Sequence, residues 1–384
     1  MNVGIVSAYY PPHMGGVELF SENLACQLVR MGHDVTVITS LLDGAMRYEE
    51  PVEGMRIYRL PTRNLAGGRF PLLERGNALK QITETLNSIN FDGIVVNTRF
   101  YPLSLYGARL ARDRGLTPVL IEHGSGHLTM GGHVMSSAVQ RYEHRATTKV
   151  MRCNPRFYGV SKQASAWLEH FGIQASGVIR NAVDAPAFRA QASKRVFRTE
   201  LDIPAEAIIV AFTGRIIPEK GIWELVEAAD ALRGNGQDFR FLVAGDGPDF
   251  AKLEQAVQQR DNVYALGRLS RPDIARLLLT ADVFCFPSAY PEGLPTSLLE
   301  AAACEAYIVT SHVGGADEVV PSPDYGTVIE GNSAQTIAQA LRAYAADKQA
   351  CDQRARACCR RVEEEITWQA TAQAVLRALE DAAS

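Results

Sequence analysis

The chain has 384 residues, of which 47% are hydrophobic and 21% charged, a composition typical of a globular protein large enough for two domains. The formal net charge of −4 is unevenly distributed. Residues 1–184 carry 19 basic and 15 acidic side chains, whereas the remainder carries 20 and 28. This balance excludes a strongly basic nucleic-acid-binding protein, so we expect no nucleic-acid partner, while the mildly basic first half favours an anionic partner there.

The cysteine pattern and the lack of recognisable targeting signals predict in which cellular compartment the protein is found. An odd number of cysteines without paired spacing predicts a reducing environment. The N-terminus enters a strand pattern at once, so no signal peptide is expected. No apolar run approaches the roughly 20 residues of a membrane span. We therefore expect a cytoplasmic protein. The seven cysteines are Cys26, Cys153, Cys285, Cys304, Cys351, Cys358 and Cys359.

Short runs rich in β-branched residues alternate with helical patterns along the chain, which predicts parallel sheets covered by helices on both faces. In the first half, the predicted strands are 3–6, 35–39, 94–96 and 119–121. The helix between the first two strands has apolar positions at Val17, Phe20, Leu24 and Leu28, and it ends at Gly32.

A polar stretch without strands, residues 181–199, separates this half from a second set of elements. The last segment, 350–384, is a long helical pattern that contains Trp368. The sequence therefore predicts two α/β halves. The second half has predicted strands at 208–212, 241–244, 263–266, 283–286 and 308–310, and predicted helices at 222–232, 250–259 and 272–280.

Gly15 and Gly16 lie where the first strand joins the first helix. A glycine pair at a helix N-terminus lets backbone N–H groups approach an anion closely. The spacing does not match the G-x-G-x-x-G motif of dinucleotide sites, and no acidic residue ends the second strand. A dehydrogenase interpretation therefore loses its main support.

His123 directly follows a predicted strand, at the end of the sheet where open α/β proteins bind ligands. This position favours a site residue over an ordinary surface histidine. The neighbouring Glu122 is either a solvated side chain or a residue that orients His123. His127 and His133 lie further along the same loop and are assigned no role.

A loop in the second half carries two cations. Arg215 and Lys220 lie five residues apart between a strand and a helix, and Gly221 closes the loop. A guanidinium and an ammonium group at this position suit a diphosphate, whose negative charge grows as a sugar leaves it. On an arbitrary loop, two solvated surface cations would be the ordinary interpretation.

The segment from Glu292 to Glu300 is the most informative in the chain. The two carboxylates flank a turn formed by Gly293, Leu294 and Pro295, after a buried strand and before a run of helix formers. Carboxylates there can accept hydrogen bonds from sugar hydroxyls, and the N–H groups of the turn can face an anion.

In combination, these motifs resemble the donor site of the retaining glycosyltransferases of family 4. The resemblance extends from residue 3 to about residue 320 and includes weaker matches at 181–184, Gly245, Gly267, Arg268 and 314–318. Ala182 replaces the glycine of the family's N-G-V-D element, and residues 304–307 depart from its G-x-P-V pattern. Single motifs are weak signals, but their combination is specific.

The resemblance implies a GT-B fold: two Rossmann-like domains facing across a cleft, with the C-terminal helix crossing back to the first. We expect an acceptor-binding domain at 1–183, joined by residues from about 366 to 384, and a donor-binding domain at 184–365. The implied donor is a nucleotide diphosphate sugar, and we expect a UDP-linked sugar rather than a GDP-linked one. The implied acceptor is a sugar or lipid-linked sugar in polysaccharide or glycolipid assembly.

The resemblance also implies roles for individual residues. Arg215 and Lys220 would hold the diphosphate, Glu300 the ribose and Glu292 the donor sugar. No nucleophile stands out, which favours a front-face route in which the leaving phosphate oxygen deprotonates the acceptor, with domain closure over the donor. The expected catalytic residues are His123, Arg215, Lys220 and Glu292, and the expected donor-site residues are Gly15, Gly16, Arg215, Lys220, Gly245, Arg268, Glu292, Gly293, Leu294, Pro295 and Glu300.

Other interpretations stay open at this point. The chain could be a GT-B enzyme acting on a small-molecule acceptor, a sugar-nucleotide epimerase, a phosphorylase, a noncatalytic carbohydrate-binding subunit or an NAD-dependent oxidoreductase. The loops 64–76 and 124–137, where we expect the acceptor to bind, match no fixed motif.

Neither a cofactor nor a metal is expected. Enzymes that neutralise a diphosphate with Mg²⁺ or Mn²⁺ usually carry an Asp-x-Asp pair, and this sequence has none. Arg215 and Lys220 would supply the positive charge instead.

A basic segment suggests reversible docking on the anionic cytoplasmic leaflet, because each cation near such a surface contributes about 1 kcal/mol. A solvated helix face followed by a buried strand is the alternative interpretation. The segment contains Arg141, Arg145, Lys149, Arg152 and Arg156, among the apolar residues Val150, Met151 and Phe157.

Overall fold

The computed structural model describes residues 1–13, 15–42, 45–65, 70–127, 133–234 and 236–383. Contacts divide the chain into two compact units. The first comprises Met1–Asn181, Glu292–Leu294 and Trp368–Ser384, and the second comprises Ala182–Pro291 and Pro295–Thr367. Each unit is an α/β domain with its own largely parallel sheet.

The first unit contains an eight-stranded sheet in the order β10-β9-β8-β7-β1-β2-β4-β3. Neighbouring strands are parallel except for β3, which is antiparallel to β4, and β5 and β6 form a separate antiparallel pair. The strands are β1 (Asn2–Val6), β2 (Asp34–Ser40), β3 (Tyr48–Glu49), β4 (Met55–Leu60), β5 (Thr62–Leu65), β6 (Phe70–Leu73), β7 (Gly93–Asn97), β8 (Val119–Glu122), β9 (Arg156–Gly159) and β10 (Gly177–Val178).

The second unit contains a six-stranded parallel sheet in the order β13-β12-β11-β14-β15-β16. β11, β14 and β15 are buried along their whole length, as expected of strands covered on both faces. The strands are β11 (Ile208–Thr213), β12 (Phe239–Ala244), β13 (Val263–Gly267), β14 (Val283–Phe286), β15 (Tyr307–Ser311) and β16 (Thr327–Ile329).

Helices connect these strands and cover the sheets. They are α1 (Gly16–Arg30), α2 (Asn77–Ser88), α3 (Pro102–Arg112), α4 (His133–Met151), α5 (Lys162–Trp167), α6 (Ala185–Ala190), α7 (Phe197–Glu200), α8 (Ile222–Ala231), α9 (Phe250–Val257), α10 (Arg271–Thr280), α11 (Thr296–Ala303), α12 (Ala316–Val319), α13 (Ala334–Ala346), α14 (Lys348–Glu365) and α15 (Trp368–Ala383).

The end of the chain differs from the continuous helical pattern in the sequence. The pattern is split at Ile366 and Thr367 into α14, which belongs to the second unit, and α15, which belongs to the first. α15 buries a stripe at helical spacing against the first unit, and the Trp368 ring lies 5.6 Å from that of Phe20 in α1. The Thr371 hydroxyl donates to the Arg180 carbonyl at 2.9 Å.

Every strand predicted from the sequence is present, and the strandless stretch 181–199 contains only the short helices α6 and α7. β4 was not predicted, because Arg56 and Arg59 interrupt its apolar residues, although Arg59 itself is buried. Across the described ranges, no helix has the length and apolar character needed to span a bilayer.

Candidate active site

The loop between β11 and α8 presents the two cations at the carboxyl end of a central strand. After β11 the chain passes Arg215 and makes a single 3₁₀ turn, Pro218–Lys220. Gly221 then starts α8 with φ +74°, and a Cβ atom there would overlap the Pro287 carbonyl oxygen. Only glycine combines this backbone conformation with this close approach.

Lys220 is half-buried against two aromatic rings and lies beside a like charge. Its Nζ atom lies 5.0 Å from the ring centroid of Phe286 and 5.3 Å from that of Tyr290. Burial, and secondarily the positive charge of Arg215, lower the pKa of Lys220 to about 7. Arg215 itself is exposed. The loop therefore pairs an always-charged guanidinium with an ammonium group that is close to losing its proton.

Backbone hydrogen bonds join this loop to the ends of the next two strands. Gly214 donates to Ala244 at 3.1 Å, and Ile216 donates to Asp246 at 2.9 Å. Gly245, at φ +151°, donates to Gly267 at 2.8 Å, and a Cβ atom on it would collide with the Gly214 carbonyl. Three successive strand ends thus form one connected surface.

Arg268 follows Gly267 at the end of β13 and is exposed. It lies on the same connected surface as the loop that carries Arg215 and Lys220. The guanidinium is therefore accessible to a ligand at these strand ends.

Glu300 lies in the second turn of α11 and is largely withdrawn from water. Its carboxylate is 3.5 Å from the guanidinium of Arg271, the first residue of α10. Burial outweighs this neighbour and raises the pKa of Glu300 to about 7. A half-ionised carboxylate in this position is unusual for a purely structural residue and is typical of functional sites.

The turn before α11 is divided between the two units. Pro295 is the N-cap of α11 and belongs to the second unit, whereas Glu292–Leu294 group with the first. Within the first unit, the Ser125 hydroxyl donates to the Glu292 carbonyl oxygen at 2.5 Å. The two carboxylates of the sequence motif therefore belong to different units.

His123 is held at the end of β8 by a chain of hydrogen bonds. Its Nε2 atom is 2.8 Å from Asn97 Oδ1, at the end of β7. Asn97 Nδ2 donates to the Ser21 hydroxyl at 2.9 Å, and that hydroxyl donates to the Val17 carbonyl at 2.8 Å. The Ser21 hydroxyl donates its hydrogen to Val17, so it can only accept a hydrogen bond from Asn97. The amide nitrogen of Asn97 must therefore face Ser21. Asn97 then offers its oxygen to His123, which makes Nε2 the protonated nitrogen.

The imidazole of His123 is consequently neutral, with Nδ1 as an acceptor. Burial lowers its pKa to about 3, and the ring packs edge-on against Phe20 at 4.7 Å. Glu122 does not contact the imidazole in this arrangement. Its Oε1 atom accepts the backbone N–H groups of His123 and Gly124, each at 3.2 Å, so it shapes the loop.

The glycine pair before α1 is partly occupied by the protein's own carboxylate. Gly15 is the N-cap of α1, and Glu18 in the first turn folds back against it. The Glu18 carboxylate is 2.8 Å from His13 Nδ1. An anion approaching Gly15 and Gly16 must therefore share the helix N-terminus with Glu18.

The structure distributes the predicted site residues between the units. Sequence reasoning did not identify two residues that contact predicted site side chains, because no motif marks either. They are Asn97, which bonds His123, and Arg271, which pairs with Glu300. The loops 64–76 and 124–137 contain residues 66–69 and 128–132, which lie outside the described residues. The second unit carries Arg215, Lys220, Gly245, Arg268, Pro295 and Glu300, and the first carries Gly15, Gly16, His123, Glu292, Gly293 and Leu294.

Two family models match the chain. "Glycosyltransferase Family 4" matches residues 14–185, and "Glycosyl transferases group 1" matches residues 193–358. The chain thus belongs to the glycosyltransferases of family 4 and is an enzyme of the GT-B type.

Relatives and solved structures agree with this assignment. The chain is 26% identical to a GDP-mannose-dependent alpha-(1-6)-phosphatidylinositol dimannoside mannosyltransferase of Mycobacterium tuberculosis, over 99% of this chain and 96% of that one. It is 24% identical to the GPI3 subunit of phosphatidylinositol N-acetylglucosaminyltransferase of Saccharomyces cerevisiae, over 84% and 70%. The Anabaena protein Alr3699/HepE, crystallised with UDP, has the same fold, with a TM-score of 0.75, 19% identity and 99% of both chains covered.

The raised pKa of Glu300 predicts a stability difference that depends on pH. Its native pKa of about 7 lies above the usual glutamate value of 4.5, so between these values the native state binds more protons and the free energy of unfolding falls as pH rises. Glu300→Gln removes this loss, which is worth up to about 3 kcal/mol above pH 7. We expect the variant to unfold at higher temperature than wild type at pH 8, and the difference to shrink towards pH 5.

Glu254→Gln, on the exposed face of α9, is the matched control and should follow wild type at every pH. A Glu300→Gln midpoint that parallels wild type from pH 5 to pH 8 would show that Glu300 ionises without cost.

Proposed function

We propose that the protein transfers a hexose from a nucleotide diphosphate sugar to an acceptor hydroxyl of a glycolipid or polysaccharide precursor, retaining the anomeric configuration. The observation that carries this proposal is the loop with Arg215 and Lys220 at the carboxyl end of β11. The relatives named above act, by their names, on phosphatidylinositol-based glycolipids, which supports a lipid-linked acceptor.

The diphosphate would bind at the loop between β11 and α8. A phosphate group would place negative charge beside Lys220, so binding would favour the protonated form that burial disfavours. Arg215 adds a bidentate donor. Because these groups are already in place, they stabilise the charge that develops on the leaving diphosphate without reorganisation.

The nucleoside would extend from this loop towards Glu300 and Arg268. Glu300 accepts hydrogen bonds from the two ribose hydroxyls. An ionised carboxylate is the better acceptor, and Arg271 stabilises that ionised form. The backbone of Gly267 and Arg268 meets the base. Backbone contacts discriminate only weakly between bases. We expect a UDP-linked donor, in line with the UDP bound by the Anabaena neighbour, and a GDP-linked hexose is the alternative.

The transferred sugar would be held by Glu292 and His123. A neutral imidazole with Nδ1 as acceptor can receive a hydrogen bond from a sugar hydroxyl, and Asn97 keeps it in that tautomer. In the front-face step, the bond from the anomeric carbon to the diphosphate oxygen breaks as the acceptor oxygen attacks the same face. The acceptor proton passes to the departing phosphate oxygen.

A nucleotide panel tests the donor class directly. UDP, GDP and ADP are compared by the shift each produces in the unfolding midpoint, since a ligand that binds only the folded protein raises it. We expect UDP to give the largest shift and Arg215→Ala to abolish most of it. Arg233→Ala is the control, because Arg233 lies in the turn after α8 and pairs with Asp261. Equal shifts for wild type and Arg215→Ala would refute the assignment of the loop.

Catalysis should need no divalent metal, because Arg215 and Lys220 provide the charge that Mg²⁺ or Mn²⁺ supplies elsewhere. We expect sugar transfer to persist in excess EDTA, and Arg215→Ala and Lys220→Ala each to lose on the order of 10²–10³ in turnover. Activity that disappears in EDTA and returns with Mn²⁺ would contradict this. Near-normal turnover in both alanine variants would do so as well.

We also propose that the first unit adsorbs to anionic membranes. Arg141, Arg145 and Lys149 are exposed at four-residue spacing on α4, and Arg152 follows at the next turn. Val150 and Phe157 are buried, so the expected apolar contribution reduces to Met151, which is 37% exposed. The attraction would therefore be mainly electrostatic.

Sedimentation with vesicles containing phosphatidylserine should pellet the wild type at low salt and release it at high salt. The double variant Arg145→Glu, Lys149→Glu should stay in the supernatant. Wild-type protein that remains in the supernatant at low salt would contradict membrane adsorption and favour the alternative, in which the basic face of α4 is only solvated.

A further inference from the structure

Three histidines that no sequence motif connects lie together in the first unit, and we call them the histidine cluster. His127 follows β8, His144 is in α4, and His170 is in the turn Leu168–Phe171 after α5. Each offers a ring nitrogen, and these nitrogens all lie within 4.8 Å of one another. His144 and His170 are exposed and His127 is half-buried, so the cluster is open to ions from solvent.

The spacing of the cluster fits a small tetrahedral cation. Zn²⁺ binds imidazole nitrogen at about 2.0–2.1 Å, which places two ligand nitrogens roughly 3.3 Å apart in a tetrahedral site. The Nε2 atoms of His127 and His170 are 3.1 Å apart. His144 offers a ring nitrogen within 4.8 Å of the other two and would be the third ligand, and a water molecule would take the fourth position.

The surroundings hold His127 in the orientation that a metal ligand requires. Its Nδ1 atom is 2.7 Å from the carboxylate of Glu143, which can only accept, so in the neutral ring Nε2 carries the lone pair towards the cluster. A carboxylate behind a ligating histidine is the usual outer partner at metal sites. Trp167 stacks on His170 with ring centroids 4.7 Å apart and 6° between planes, which restricts the other ring.

Two buried carboxylates and one buried guanidinium lie beneath the cluster. Glu143 and Glu122 are both buried and share one buried guanidinium, that of Arg99, at 3.1 and 2.5 Å. Acid therefore exceeds base among these buried groups.

We propose that the histidine cluster binds one Zn²⁺ ion through His127, His144 and His170. The ion would tie the segment after β8 and helix α4 to the turn after α5, and thereby stabilise the first unit. The site uses none of the residues assigned to the donor, so it stands whether or not the proposed function is correct. A cluster that is only hydrogen-bonded, with His127 protonated against Glu143, is the alternative that the experiment must separate.

The test uses the full chain without a polyhistidine tag, stripped with chelator and then equilibrated with ZnCl₂. Metal analysis after gel filtration should find one zinc per chain. The unfolding midpoint should rise by about 5 °C. Co²⁺ in place of Zn²⁺ should give the visible absorption of a tetrahedral nitrogen-ligated ion.

His144→Ala and His170→Ala should each lower zinc affinity by 100-fold or more and lose the midpoint shift, since each removes a direct ligand where an outer partner alone is worth about 10–100-fold. Both residues are exposed, so both variants should unfold like the stripped wild type in chelator. His312→Ala, an exposed histidine of the second unit, is the control and should retain the zinc. Substoichiometric zinc in wild type would overturn the proposal. So would an undiminished shift in His144→Ala, or loss of zinc only in the control.

Discussion

The partial burial of Lys220, beside the fixed charge of Arg215, is the interaction on which the proposed donor site depends. An ammonium group that retains its proton only marginally at neutral pH is unfavourable in the empty protein. It becomes favourable once an anion with two or more negative charges lies against it. The same environment strengthens the attraction to a leaving diphosphate, because less water is present to screen it. In the proposed reaction, the site would therefore favour the negative charge that increases on the leaving diphosphate.

The parallel sheet of the second unit makes this arrangement rigid. β11, β12 and β13 end at the same edge, and their loops are joined by backbone hydrogen bonds among Gly214, Ala244, Gly245 and Gly267. A side chain at Gly245 or Gly221 would separate loops that must touch. The cations thus stand on a backbone framework, and they do not depend on flexible surface loops for their position.

Much of this could be predicted from the sequence because the relevant signals are local. β11 is a run of apolar residues that ends just before the loop with Arg215 and Lys220, and Gly221 closes that loop. The strand, the loop and the two cations can therefore be predicted from one continuous segment. The break between α14 and α15 has no local signal, since Ile366 and Thr367 include neither proline nor glycine, and only the family resemblance implied a boundary near residue 366. Arg59 could not be predicted as buried, because its partners come from distant loops.

The contacts that tune the site were also beyond sequence reasoning. Asn97 meets His123 from 26 residues away, and His170 meets His127 from 43 residues away. Neither pair has a spacing that marks it, because the contact is made by the order of strands in the sheet and by the packing of α4. Glu300 was predicted as a ligand-binding carboxylate, but its raised pKa follows from burial that only the packed structure reveals.

The central claim is tested most directly by the protons exchanged when UDP binds, measured by titration calorimetry at pH 8 in buffers of different ionisation enthalpy. At this pH Lys220, with a pKa of about 7, is mostly neutral, and the phosphates of UDP are fully ionised. If UDP binding reprotonates Lys220, wild type should take up most of one proton per UDP. Lys220→Arg, which is always charged, should bind UDP with almost no uptake. Binding without proton uptake in wild type, or equal uptake in both proteins, would contradict the account.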